Sequence, residues 1–556
     1  MIQGKTIKKI VPVIIAGLIS TCTLYGQVND MRFTDITKKA GIDFRYTFGD
    51  KSYVNILESS GSGITVFDYN SDGLMDIFML NGRYIEGVSD PEGKVFSSSH
   101  NELYRNNGNG KFTKVTGEAG LKKSFWTNAA APVDIDNDGD LDIYLLNYGP
   151  NVFYRNNGDG TFSDITSILG LSGPEKLNGF VKYSIGASFF DFNSDGRLDV
   201  IVGNFLAFDP AYKSAATPDI MPHPSEYKGQ ATFLYIQKPD GSFADVTKEN
   251  NLWYPDSKCM GLTVYDFDSD RDQDIFQAND HQLNFLFRND GGKFTEVGVQ
   301  AGVAANSDGK GSGSMHGTLG DVNGDGLTDI LVTDLEHGAL YIYTGNGTFT
   351  DISEQSGVSR FLAGVGAWGA ALADFDNDGY PDIVSANGTA EELRLQYPLL
   401  LKNDGKGRFT EWGKELSPYF RTKRSGRGLA VTDFDNDGDA DIVISHVDLT
   451  ATPVLLRNDG GNNNNWIGFR LIAKGGETAA AGAKVLVTAG GKKRLFENQW
   501  ATSYLSNNDP RILAGIGSAN TAEIIEVIWP DGSSDSFTNV IAGKYYTVRQ
   551  GDKSIK

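Results

Sequence analysis

Asp134-Ile135-Asp136-Asn137-Asp138-Gly139-Asp140-Leu141-Asp142 sets carboxylates at positions 1, 3, 5 and 9 of one short loop, with glycine at position 6. Acids on alternate residues repel one another unless a hard cation sits among them. Oxygen ligands, a glycine for the sharp turn and a closing acid are what Ca²⁺ requires. The EF-hand loop shares the front spacing but closes at position 12. Here an apolar run over 143–146 follows at once, so the loop is predicted to feed a strand instead of a helix.

The frame recurs along the chain. It stands at Asp68, Asn70, Asp72 and Asp76, at Asp191, Asn193, Asp195 and Asp199, and at Asp266, Asp268, Asp270 and Asp274. It stands again at Asp321, Asn323, Asp325 and Asp329, at Asp374, Asp376, Asp378 and Asp382, and at Asp433, Asp435, Asp437 and Asp441. One Asp-Gly turn says little, because such turns are common on hairpins. Seven copies in one frame, with Asp134, Asp136, Asp138 and Asp142 as the second, predict up to seven Ca²⁺ sites.

Two further signals travel with each loop. A strand-like phrase, Phe33-Thr34-Asp35-Ile36-Thr37, recurs from Phe112, Phe162, Phe243, Phe294, Phe349 and Phe409. A hairpin signal, Arg105-Asn106-Asn107-Gly108, recurs at Asn156, Asn289, Asn403 and Asn458, with weaker copies at Asp240-Gly241 and Asn346-Gly347. Four strands per unit of roughly 50 to 75 residues describe a propeller blade, and seven is within the usual blade number. The predicted fold is all-β, a seven-bladed β-propeller over 27–461. No Phe-led phrase follows Asn458, whereas a spare one lies at 33–37, so the N-terminal strand is expected to complete the last blade.

The formal charge is −21, which disfavours binding nucleic acid through its phosphates. Residues 1–26 read as an export signal, with Lys5, Lys8 and Lys9 before an apolar stretch too short to span a membrane. The expected location is secreted, cell-surface or periplasmic. Losing the leader's three lysines takes the charge from −21 to about −24, and seven divalent cations return it to about −10. Cys22 lies in the leader behind Thr21, a poor match to a lipoprotein signal, and cleavage leaves Cys259 alone, with no disulfide in the mature chain.

Two departures break the repeat. Arg271 takes the turn-glycine position of the fourth loop, where strain is expected to make that site the weakest. The third unit carries an insert over 205–230 with Pro210, Pro218, Pro222, His223 and Pro224, readable as a binding element or as a surface loop. The asparagine-rich stretch 462–465 reads as a linker, and strand-like runs over 466–556 predict a small, β-sandwich-like domain.

The seven loops with their Gly- and Phe-rich flanks resemble FG-GAP/VCBS repeats, the propeller repeats of integrin α chains. Gly482-Ala483-Lys484-Val485, the run from Tyr504 to Arg511, Gly515-Ile516-Gly517 and Trp529-Pro530-Asp531-Gly532 resemble an ASPIC/UnbV domain. Ala479 to Ala481 and Lys484 depart from that pattern, which puts a role for those side chains in doubt. The pairing resembles exported bacterial relatives of the cartilage acidic protein family. The resemblance implies a calcium-stabilised, secreted adhesion or matrix-type protein with no established catalytic residues.

No Gly-x-Ser-x-Gly elbow, His-Glu-x-x-His helix or phosphate-binding loop is present, and the six histidines are scattered. The expected function is a non-enzymatic adhesion or binding module for a glycan or protein. The rivals are a polysaccharide lyase or hydrolase on the same scaffold, sited at the axis or in the insert, and a structural subunit of a cell-envelope assembly.

Overall fold

The loop-to-strand pattern is realised seven times. Each inner strand runs through an Asp loop into a second strand that begins on the loop's ninth residue. These pairs are Ile64–Phe67 with Asp76–Met79, Thr127–Val133 with Asp142–Asn147, Ser184–Phe190 with Asp199–Asn204, and Cys259–Tyr265 with Asp274–Gln282. They continue as Ser312–Gly320 with Asp329–Asp334, Ala367–Ala373 with Asp382–Asn387, and Gly426–Thr432 with Asp441–His446. A third strand and a short outer strand complete each four-stranded antiparallel sheet, and a short pairing of Asp280 and Gln282 with Gly313 and Ser312 joins the fourth sheet to the fifth.

This computed structural model describes Met1 and residues 31–215, 221–306, 308–390, 393–448, 451–474 and 480–555. The segment read as an export signal, beyond Met1 and with Cys22, and Pro218 of the insert lie outside them. Neighbouring inner strands touch from first to seventh, and the first touches the seventh, so the sheets form a closed ring. Small residues let the strands converge. A Cβ on Gly63 would lie 2.5 Å from the Asn128 carbonyl oxygen of the next inner strand.

The closure follows the sequence expectation. Outer strands of the first six sheets open on Phe112, Phe162, Phe243, Phe294, Phe349 and Phe409, whereas the seventh takes Arg32–Asp35. Arg32 stands opposite Asp459 and Asp35 opposite Leu456, antiparallel. Phe33 is 2% exposed and packs edge-on to Phe375 and Phe420, with centroids at 5.6 and 6.2 Å.

Beyond the ring lie two more sheets around a separate core that includes Ile467, Phe469, Val485, Val487, Ile525 and Val527. In one, Asn465–Ile472 pairs antiparallel with Ile512–Gly517 and parallel with Tyr545–Arg549. The other runs in the order Lys492–Glu497, Lys484–Ala489, Thr521–Ile528, Ser534–Ile541. Residues 31–556 form one compact unit, because the connection between Glu497 and Ile512 enters the ring axis.

Asn507 exchanges backbone hydrogen bonds with Ile64 and Val66, and its amide donates to the Ala130 oxygen at 2.7 Å. Ser503 accepts from Ala370 N–H, Thr502 oxygen from the Thr318 hydroxyl, and Asn508 from Val431 N–H. Tyr504 is fully buried, 5.0 Å from the Trp368 ring centroid. The plug thus bonds to inner strands of five sheets.

The opposite end of the axis is closed by the chain's own N-terminal segment. Asn55 and Glu58 form a capping box over the short helix Ile56–Ser59. Arg427, fully buried, donates to the Ser59 and Thr389 oxygens and lies 4.0 Å from the Trp368 ring centroid. The described flanks of the insert fold back onto the ring through buried Phe205, Phe208, Met221 and Tyr227. Cys259 is buried and free, and among the described residues no helix is long and apolar enough to cross a membrane.

Removing the Phe33 ring should cost about 3–5 kcal/mol in a Phe33→Ala variant, and deleting 27–40 should cost more. Urea unfolding checks both, and a deletion that melts like the intact chain contradicts closure by this strand.

Candidate metal centres

Each Asp loop folds around its first aspartate. Asp72 and Gly73 N–H groups donate to the two oxygens of Asp68 at 3.0 and 2.8 Å. The same pair of bonds forms at Asp134, Asp191, Asp321, Asp374 and Asp433. Positions 4 and 6 are left-handed in every loop, for example Asn137 at φ 59° and Gly139 at φ 94°. This explains glycine at position 6 and the Asn, Ser or Gly at position 4.

The ninth aspartate lies at the foot of the second strand and is buried in all seven sheets. In six sheets one oxygen accepts the N–H of loop position 2, as from Tyr69 to Asp76 at 3.0 Å. The other accepts an N–H at the end of the third strand, at 2.7–3.0 Å in every sheet. In five sheets that third-strand residue is asparagine. Its amide donates to a carbonyl of the preceding sheet's Asp loop: Asn106 to Phe434, Asn156 to Tyr69, Asn289 to Phe192, Asn403 to Val322 and Asn458 to Phe375. Gln237 and Tyr343 replace it in the third and fifth sheets.

Carboxylate oxygens converge within 4.8 Å of one another in four loops. The sets are Asp134, Asp136 and Asp138; Asp266, Asp268 and Asp274; Asp374, Asp376 and Asp382; and Asp433, Asp435 and Asp441. In the other three, position 3 is Asn70, Asn193 or Asn323, whose amide donates to the acid at position 5. Two unit charges 4.8 Å apart repel by roughly 3–4 kcal/mol at an effective dielectric of 20. Three such pairs exceed what two N–H donors return, about 1.5–3 kcal/mol each.

Burial therefore pushes the ninth-position carboxyls up: Asp76 to about 8, Asp142 to about 7, Asp199 to about 8, Asp274 to about 9 and Asp329 to about 8. Asp382 and Asp441 move well above the usual range for the same reason. Buried oxygens of Asn70, Asp199, Asp266, Asp268, Asp376 and Asp435 have no hydrogen-bond partner. Unpartnered, mutually repelling oxygens around a tight turn fit a hard divalent cation, with Ca²⁺ the match for an all-oxygen donor set.

The loops are not equivalent. Lys402 pairs with Asp376 and Asp378 of the sixth loop, partly neutralising it. Arg271 adopts φ 84° in the fourth loop, the backbone that glycine adopts elsewhere, and its side chain packs against Gly532 of the C-terminal domain. At the seventh loop Tyr545 donates to an Asp433 oxygen at 2.8 Å, and Arg511, paired with Asp509, donates to the Asp433 carbonyl.

The spacing of acids located all seven loops but missed these partners, which arrive from remote segments. It also missed Asp272 and Asp439, position-7 acids that accept the N–H of a hairpin glycine, Gly291 and Gly460. His281, beside Asp280 in the sequence and 3.5 Å from its carboxylate, also lies against His223 of the insert, with ring centroids 4.1 Å apart.

A carboxyl whose folded pKa exceeds its unfolded value of about 4 holds an extra proton in the fold, so its stabilisation is lost as pH rises toward the folded pKa. In chelator the melting temperature should fall between about pH 5 and 9, while millimolar Ca²⁺, which binds the ionised form, should offset the fall. Calorimetric melts across that range check this, and curves insensitive to chelator would contradict cation binding.

A family model described as FG-GAP-like repeat matches residues 95–145, 134–202, 266–332 and 321–385, and one described as ASPIC and UnbV matches 473–555. Cartilage acidic protein 1 of Homo sapiens is 30% identical over 313 residues, 52% of this chain and 43% of that protein. Integrin alpha-4 of Xenopus laevis is 32% identical over 200 residues, 33% of this chain and 17% of that one. The chain thus spans less than half the length of these relatives. Among solved structures, an Agrocybe aegerita lectin that recognises non-reducing terminal N-acetylglucosamine aligns with a TM-score of 0.38 at 16% identity, over 73% of this chain and 92% of that one, too loosely to bear on fold or ligand. By these sequence matches the chain carries FG-GAP-like repeats and a C-terminal ASPIC/UnbV domain and is a distant homologue of cartilage acidic protein 1.

Proposed function

We propose that the ring is a seven-bladed, calcium-binding β-propeller, and that the exported protein is a non-enzymatic adhesion or binding module for a glycan or protein partner. The observation that carries this is the acidic loop repeated seven times, with buried oxygens that lack partners in five copies and converging carboxylates in four. Bound Ca²⁺ would cross-link each loop and neutralise it. The chain's own residues do the rest: the first aspartate shapes the turn, and the ninth ties loop, second strand and third strand together.

The rival reading, a lyase or hydrolase, places an active site at the ring axis or in the 205–230 insert, and the axis leaves no room for one. That space is filled by Thr502, Ser503, Tyr504 and Asn507 from one end and by Arg427 and Ser59 from the other. A rigid, cation-stapled ring with a filled centre is suited to presenting a surface.

Retention on a panel of surface polysaccharides and envelope proteins, in Ca²⁺ and in EDTA, tests the reading. Calcium-dependent retention with the ligand left intact is expected. Release of shortened saccharide would overturn it.

A further inference from the structure

A cleft of about 670 Å³ separates the first two Asp loops from the C-terminal domain, within the size range of small-ligand sites. The strand register dictates what faces it. Arg470 stands opposite Thr547 and Ile472 opposite Arg549, while Phe469, Leu471, Tyr546 and Val548 point into the domain core. Alternation therefore puts both arginines on one outward face, where they line the cleft.

Arg470 acts electrostatically on Asp68 across the gap. Neither guanidinium has a hydrogen bond or ion pair among the described residues. Arg511, the third arginine of the cleft, is by contrast committed to Asp509 and the Asp433 carbonyl. Trp500 lines the cleft too, and its indole N–H is buried with no partner. Buried donors in native proteins are rarely left so.

We propose that this cleft binds a carboxylate-bearing oligosaccharide of the uronate class. This rests on the binding-module reading and gives it a site and a ligand chemistry. A guanidinium fork matches a carboxylate with two parallel hydrogen bonds. The indole offers an apolar face to a sugar ring. The facing wall carries Asp68, Asp134 and Asp138, which accept from hydroxyls but repel dense anions. Walls of opposite sign select a ligand that is both anionic and rich in hydroxyls. Cations in the first two loops would lower the repulsion, so affinity should rise with Ca²⁺.

The test is calorimetric titration of the full exported chain with an oligogalacturonate, its carboxyl-reduced counterpart and a sulfated oligosaccharide of equal length, in Ca²⁺ and in EDTA. Binding of the oligogalacturonate, weakened at least about tenfold in an Arg470→Ala/Arg549→Ala variant with an unchanged melting temperature, is expected. Ligand should also quench indole emission, and the quench should vanish in Trp500→Phe.

No binding of the oligogalacturonate, equal binding of the reduced or sulfated chain, or equal binding by the double variant would overturn the assignment. If a panel ligand is still retained in that case, the binding-module reading survives and the cleft assignment alone falls. Loss of retention on every ligand would sink both.

Discussion

A buried aspartate at the start of each second strand is the point on which the ring depends. In six of the seven sheets its two oxygens fix the entry of the Asp loop and the end of the third strand at once. In five sheets the residue it holds is an asparagine that reaches into the preceding sheet's loop. At those five places loop, sheet and neighbouring sheet share a hydrogen-bond network, and Asn106 and Phe434 carry it between the first sheet and the seventh. Buried networks of this kind are stabilising only when every member is satisfied.

The same arrangement creates an electrostatic problem. Backbone donors suffice to orient the aspartates but do not offset the burial that raises the carboxyls of Asp76, Asp142 and Asp274, to which the neighbouring acids add. Two answers are present in the chain. Oxygens without partners in five loops would suit a cation, and Lys402 brings a fixed ammonium to the sixth loop. The sixth loop is thus partly neutralised by the chain itself. The fourth, with Arg271 strained at its turn, is held from outside by the C-terminal domain.

Much of this was legible in the sequence because it is local. A loop of alternating acids encodes its own turn, the ninth acid marks the strand start, and the missing Phe-led phrase after Asn458 pointed to 33–37 as the outer strand of the last sheet, which forms at Arg32–Asp35. What was not legible depends on contacts over hundreds of residues. The Asn107 side of each hairpin signal read as turn chemistry, yet the informative residue is Asn106, whose partner Phe434 is 328 positions away. The run from Tyr504 to Arg511 stood out as a motif without a physical reason. Its reason is the ring axis, which only the closed set of inner strands creates.

That last point changes how the two parts of the chain relate. Asn507 offers a backbone donor, a backbone acceptor and an amide to the first and second inner strands, groups that the ring could not otherwise satisfy at its centre. Tyr504 fills the space beside Trp368, and Arg427 stacks on the other face of the same neighbourhood. Buried backbone polar groups without partners are costly, so a ring built to receive this segment is incomplete without it. The C-terminal domain also bonds to the Asp loops through Lys484, Arg494, Arg511 and Tyr545. It is therefore better understood as the core and cap of the ring than as an appended module, and any cation entering the seventh loop must share Asp433 with Tyr545.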